Sequence, residues 1–135
     1  MNRHPYLRAY MAGSVLPTMF LLVAMVAFTM IRYVYNVPIP IERVIVFPMA
    51  LIPNLWGLWN MLYVRLREHR HVPIGLHGAL LVVLIVPIGF SVAKLLGFAL
   101  PYHFLGVLGP AAALAAYYLL WKYVVNFLNE LLEIP

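Results

Sequence analysis

Cysteine is absent from the 135 residues, and aspartate and glutamine are absent with it. No disulfide framework, thiolate metal site or thiol redox chemistry is open to such a chain, which excludes quinone–disulfide oxidoreductases. Acids are scarce: Glu42, Glu68, Glu130 and Glu133 lie near the ends of apolar stretches or between them. No apolar stretch holds a paired carboxylate, and H-E-x-x-H, P-loop, G-x-S-x-G and potassium-filter motifs are all missing. Most usual catalytic constellations go with them. No catalytic residue is assigned and no cofactor is called for.

What fills the chain is apolar: 65% of residues are hydrophobic, with a mean hydropathy of +0.94. A soluble domain of this size needs far fewer apolar residues to fill one core. The apolar stretches run at or beyond the roughly 20 residues that cross a bilayer as a helix. The expected architecture is all-α, a four-helix transmembrane bundle of two antiparallel hairpins in a single transmembrane domain. The spans fall at about 11–35, 41–66, 74–98 and 104–127. Arg3 and Arg8 lead the first span, which is too long for a signal-peptide core and lacks a clean A-x-A, so it reads as retained. Asn36-Val37-Pro38-Ile39-Pro40 breaks the chain after it, because alternating prolines forbid the helical ladder. The link at 99–103 is short enough for a tight turn between the last two helices. In the tail from 126 to 133, Asn126, Asn129, Glu130 and Glu133 share a helical face with leucines opposite, an amphipathic extension to 133.

The net charge of +5 sits beside the spans and not on a soluble face, which favours anionic lipid headgroups over nucleic acid. Arg3, Arg8, Arg65, Arg67, Arg70 and Lys122 fall on one side; Arg32, Arg43 and Lys94 fall on the other. Six against three places both termini in the cytoplasm, in a multi-pass protein of the plasma membrane. Sliding the chain against itself by 62 residues pairs Gly13 with Gly75, Pro48 with Pro110 and Trp59 with Trp121, and aligns Trp56 with Tyr118. Two hairpins of one orientation would give the parallel kind of internal repeat. Shared membrane grammar of basic flanks and interfacial aromatics gives the competing account.

The stretch from Phe47 to Asn60 is as apolar as a spanning helix yet carries two prolines, a glycine and two asparagines. Asn54 falls near mid-span, where an unpaired amide costs a few kcal/mol, so it should face protein or water. Pro53 removes a backbone donor and frees a carbonyl one turn earlier. Asn60 falls closer to the interface. Ser14, Thr18 and Thr29 form a stripe on the first span, and Ser91 belongs to a similar stripe with His77 on the third. With Pro53-Asn54 they define a polar path, with Arg32 and Lys94 as its charged mouth. The plainer account has these groups bonding between helices or back to their own backbone. Trp59, Trp121 and several tyrosines fit interfacial belts. Gly109, Ala112, Ala113 and Ala116 make small-xxx-small pairs that suit an oligomer contact. Glu68, His69 and His71 are the nearest approach to a metal site, but short His-x-His spacing among arginines disfavours a cation, and none is assigned.

Two functions follow. The first is a small channel or transporter, a homo-oligomer with its path beside the second span. The alternative is a structural or accessory subunit that holds a partner through the fourth span and the C-terminal extension.

Overall fold

A computed structural model of the chain describes residues 4–38, 47–69, 71–95 and 108–134, with the side chains of 47–50, 93 and 108 left aside. The expected start of the second span at 41–46, the link at 99–103, and Arg3, Arg43 and Arg70 lie outside the described residues. Every described element is helical: α1 (Pro5–Val34), α2 (Phe47–Arg67), α3 (Ile74–Leu95), α4 (Leu108–Leu119), a π-helical segment (Leu120–Val125) and α5 (Asn126–Leu131). Because α4, the π segment and α5 are continuous, the helical stretches among the described residues number four, as expected. Three are long and apolar enough to cross a membrane: Pro5–Val34, Ile74–Val92 and Gly109–Leu131. The other, α2, carries Asn54, Asn60, Arg65 and Arg67 and is less apolar.

α1 starts six residues earlier than its apolar run, because proline suits the first helical turn, where its missing N–H would be unpaired anyway. Arg8 therefore lies inside the helix. At the other end Asn36 takes a left-handed conformation (φ 52°), one that asparagine tolerates, and α1 stops at Val34.

α1 packs mainly on α2, and α3 on α4 and the π segment. Ala9 stands beside Asn60 and Gly13 beside Trp56, so α1 and α2 run in opposite directions. Gly13 is what lets them touch: a Cβ there would lie 2.5 Å from the Trp56 carbonyl oxygen and 2.9 Å from the Asn60 Cβ. In lipid, apolar contact alone gives helices little reason to associate, so such close approach and buried hydrogen bonds decide the packing.

The π segment has a visible purpose in the register of the last helix. Trp121, Val125 and Asn129 are buried and Tyr117 is half-buried, all at a spacing of four residues. An α-helix turns 100° per residue, so positions four apart drift by about 40° at each step. A π turn closes i to i+5 and takes more residues per turn, which cancels that drift. The four side chains thus keep to one face. Trp121 is fully buried, not interfacial, in a cluster with Trp56, Leu81 and Val125. A Cβ at Gly78 on α3 would overlap the Trp121 side chain.

α5 ends in a Schellman motif. Glu133 is left-handed (φ 49°), the Ile134 N–H donates to the Asn129 carbonyl (2.9 Å), and the Glu133 N–H donates to the Glu130 carbonyl (2.9 Å). The turn drives Ile134 into a second buried cluster with Ala9, Ala12 and Val64, flanked by Leu128 and Leu132. The C-terminal extension therefore folds back on α1 and α2, with Phe127, Glu130 and Leu131 left exposed.

Candidate functional site

Asn54 sits on α2 with its side chain exposed, and its Oδ1 accepts a hydrogen bond from the Tyr10 hydroxyl of α1. Pro53, one residue before it, is buried. The hydroxyls expected beside them turn inward to their own helix. Ser14 donates to the Met11 carbonyl (3.2 Å), Thr18 to Ser14 (2.7 Å) and Thr29 to Met25 (2.7 Å). Such back-bonding satisfies a hydroxyl locally and leaves it little to offer a solute. Ser14 and Asn54 are gathered on successive turns around Tyr10. Thr29 is not, standing about 16 Å further along α1 than Thr18. Ser91 and Lys94 are exposed on the last turns of α3, and the Arg32 guanidinium lies 5.7 Å from the Tyr33 ring centre.

The buried polar chemistry lies elsewhere, toward the end of the bundle where α1 begins and α2 ends. The Asn60 side-chain amide donates to the Ala9 carbonyl (2.8 Å) and to Asn129 Oδ1 (2.7 Å). Asn129 donates back to Asn60 Oδ1 (3.2 Å). Asn60 is fully buried and Asn129 nearly so, and the pair ties α1, α2 and α5 together. A second reciprocal pair joins α2 to α3. Trp59 Nε1–H donates to the His77 carbonyl (2.8 Å), and His77 Nε2 meets the Trp59 carbonyl at 2.9 Å. A carbonyl only accepts, so His77 carries its proton on Nε2. Its ring stacks on Trp59 (4.8 Å between centres) and touches Tyr63 and Trp121.

Between the two asparagines of α2 lies a packed aromatic zone. Trp56 contacts Tyr117 at 5.0 Å and Trp121 at 5.4 Å between ring centres, both in tilted geometries within the distance range of favourable aromatic pairs. Beside it, toward the Ile52 end of α2, is a partly open cavity of about 430 Å³ lined by Leu16, Pro17, Phe20, Leu21, Ile52 and Trp56, with Tyr117 and Leu120 contributed by the last helix. All of its lining side chains are apolar or aromatic.

The small-residue stripe is partly open: Ala112 and Ala116 are exposed, while Gly109 and Ala113 are half-buried. His69 and His71 are exposed after the end of α2, and no group of three His, Cys, Asp or Glu among the described residues is arranged to hold a metal.

Sequence reasoning placed weight on Asn54 and passed over Asn60, Asn129 and the Trp59–His77 pair. A signal for Asn129 was present in the four-residue spacing of Tyr117, Trp121, Val125 and Asn129. Nothing in the sequence linked Asn60 to Asn129 across 69 positions.

Comparison with protein-family models, curated proteins and solved structures finds no match to this chain. The class the structure defines is that of an all-helical bundle with helices of membrane-spanning length and hydropathy.

Proposed function

We propose that the protein is a structural or accessory subunit of a membrane complex, inserted as a multi-pass bundle with its arginine-rich end in the cytoplasm. The observation that carries this reading is where the polar groups go. The hydroxyls of α1 bond their own backbone, the buried amides lock the chain end, and Trp56, Tyr117 and Trp121 fill the space between. Among the described residues, most of these groups serve to hold helices together. α1 also extends beyond its contacts. From Leu22 to Val34 none of its residues is buried among the described residues, and Val23, Val26 and Met30 are all exposed. That apolar half-helix suits a neighbouring membrane segment.

The repeat fits the same reading as two copies of one scaffold. Gly13 lies against Trp56 and Gly75 against the Tyr118 ring, contacts that coincide under the 62-residue shift.

A second reading, a homo-oligomer enclosing a path, draws on one observation: Asn54 is exposed at its contact with Tyr10. A mid-span amide facing lipid is costly, so a second copy or water at that face would be favourable.

Photo-crosslinking in native membranes from position 26 of α1, against position 83 of α3, separates these ideas. The accessory reading expects one discrete heterologous product from position 26 and no solute flux in proteoliposomes. Flux that Asn54→Leu abolishes, with assembly intact, would replace it by the channel.

A further inference from the structure

A groove at the arginine-rich end of α1 and α2 has chemistry that the proposed function does not use. A cavity of about 410 Å³ opens there between Tyr6 of α1 and Leu58, Met61, Leu62 and Arg65 of α2. Leu58, Leu62 and Arg65 follow i, i+4, i+7 spacing and share one helix face, on which all three are exposed. Arg65 belongs to the last turn of α2 and Tyr6 to the first turn of α1, so cation and phenol share the rim. Leu58 lies seven residues earlier, about 10 Å deeper along the axis. The groove thus joins a charged, hydrogen-bonding mouth to an apolar floor that runs inward.

We propose that this groove binds an anionic phospholipid, with its phosphate at Arg65 and the upper part of one acyl chain along Leu58, Met61 and Leu62. Charge complementarity selects the headgroup. Arg8, Arg65 and Arg67 all fall at this end; Arg8 is engaged by Glu133 at 3.7 Å, whereas Arg65 is exposed and lines the groove. Guanidinium presents a planar fork of donors that matches phosphate oxygens, and the Tyr6 hydroxyl adds another donor at the rim. A zwitterionic headgroup brings its own ammonium and loses most of the net attraction. Size argues against a protein occupant. The cavity has about the volume of a single turn of a helix about 10 Å across, too little for a helical partner and enough for part of one lipid chain. The proposal is independent of whether the bundle serves a complex or a path.

Native mass spectrometry of the full chain from mild detergent, with equimolar phosphatidylglycerol and phosphatidylcholine added, tests it. The wild type should retain phosphatidylglycerol in preference. Arg65→Ala should lower that adduct by about fivefold, the change expected from one basic residue at an anionic surface. Arg65→Lys should recover part of the loss, and Tyr6→Phe should cost less than Arg65→Ala. Lys94→Ala, at the end of α3, should change nothing. Thermal unfolding of each variant shows that the fold persists; if Arg65→Ala unfolds, Arg65→Lys and Tyr6→Phe carry the comparison. Equal retention of both lipids, or an adduct unchanged in Arg65→Ala, would overturn the proposal. So would displacement by millimolar glycerol phosphate, which would make the site one for a free phosphate compound without a chain.

Discussion

Asn54 and Asn60 are the same residue six positions apart on one helix, and they have opposite fates. Six residues carry α2 forward by about 9 Å and leave the two side chains on faces about 120° apart. Asn60 points where α1 and α5 converge, is closed off from solvent and makes three hydrogen bonds. Asn54 points to the outer side of the α1–α2 seam, where Tyr10 meets it and the amide stays exposed. A polar residue in an apolar helix is therefore not by itself a mark of a path. Its face and its partners decide whether it holds the structure or is offered to something else.

The sharpest way to scale this comparison is a position with no polar role at all. Gly78→Ala places a Cβ into the buried Trp121 side chain, and neither the fully buried indole nor the helix backbone has room to yield. We expect the largest loss of the series, about 3 kcal/mol or more, seen as unfolding or aggregation on size-exclusion chromatography in detergent. Asn60→Leu comes next. It strands the amide of Asn129 in a buried site and should cost about 2–3 kcal/mol in thermal unfolding. Asn54→Leu, by contrast, should cost less than about 1 kcal/mol, because its amide is exposed and so is its bond to Tyr10. If Asn54→Leu proves the more damaging of the two, the contrast between them is wrong.

The smallest effect should have the opposite sign. Glu133 occupies a left-handed position that glycine adopts freely, and in its contact with the half-buried Arg8 at 3.7 Å the carboxylate itself is largely exposed. Glu133→Gly should stabilise the bundle by about 0.5–1 kcal/mol in the same unfolding assay. A loss instead would mean that the side-chain contacts of Glu133 outweigh the backbone strain.

The all-helical class, four helical stretches and membrane-spanning lengths were legible because hydropathy and length speak directly to them. Proline and asparagine also announced the break after α1 correctly. What the sequence did not disclose was which polar residues meet. Asn60 looked peripheral because depth was counted along α2 alone, while its burial depends on a chain end that returns from residue 129. Trp121 looked interfacial because it resembles a belt residue, yet the π segment turns it inward with Val125 and Asn129. A turn that adds part of a residue to the helical repeat leaves only a four-residue spacing as its trace. The same holds for Trp59 and His77, whose pairing uses each other's backbone carbonyls and so leaves no complementary side-chain signature.

The central claim is that the buried polar chemistry of this bundle closes it, through the amide pair that joins α2 to α5. A double-mutant cycle between Asn60→Leu and Asn129→Leu, read as unfolding free energy in mild detergent, tests it directly. If the pair is a buried reciprocal bond, each single change is costly and the double change recovers much of the loss. The coupling should then be about 1.5 kcal/mol or more. Additive losses, with coupling near zero, would contradict the claim.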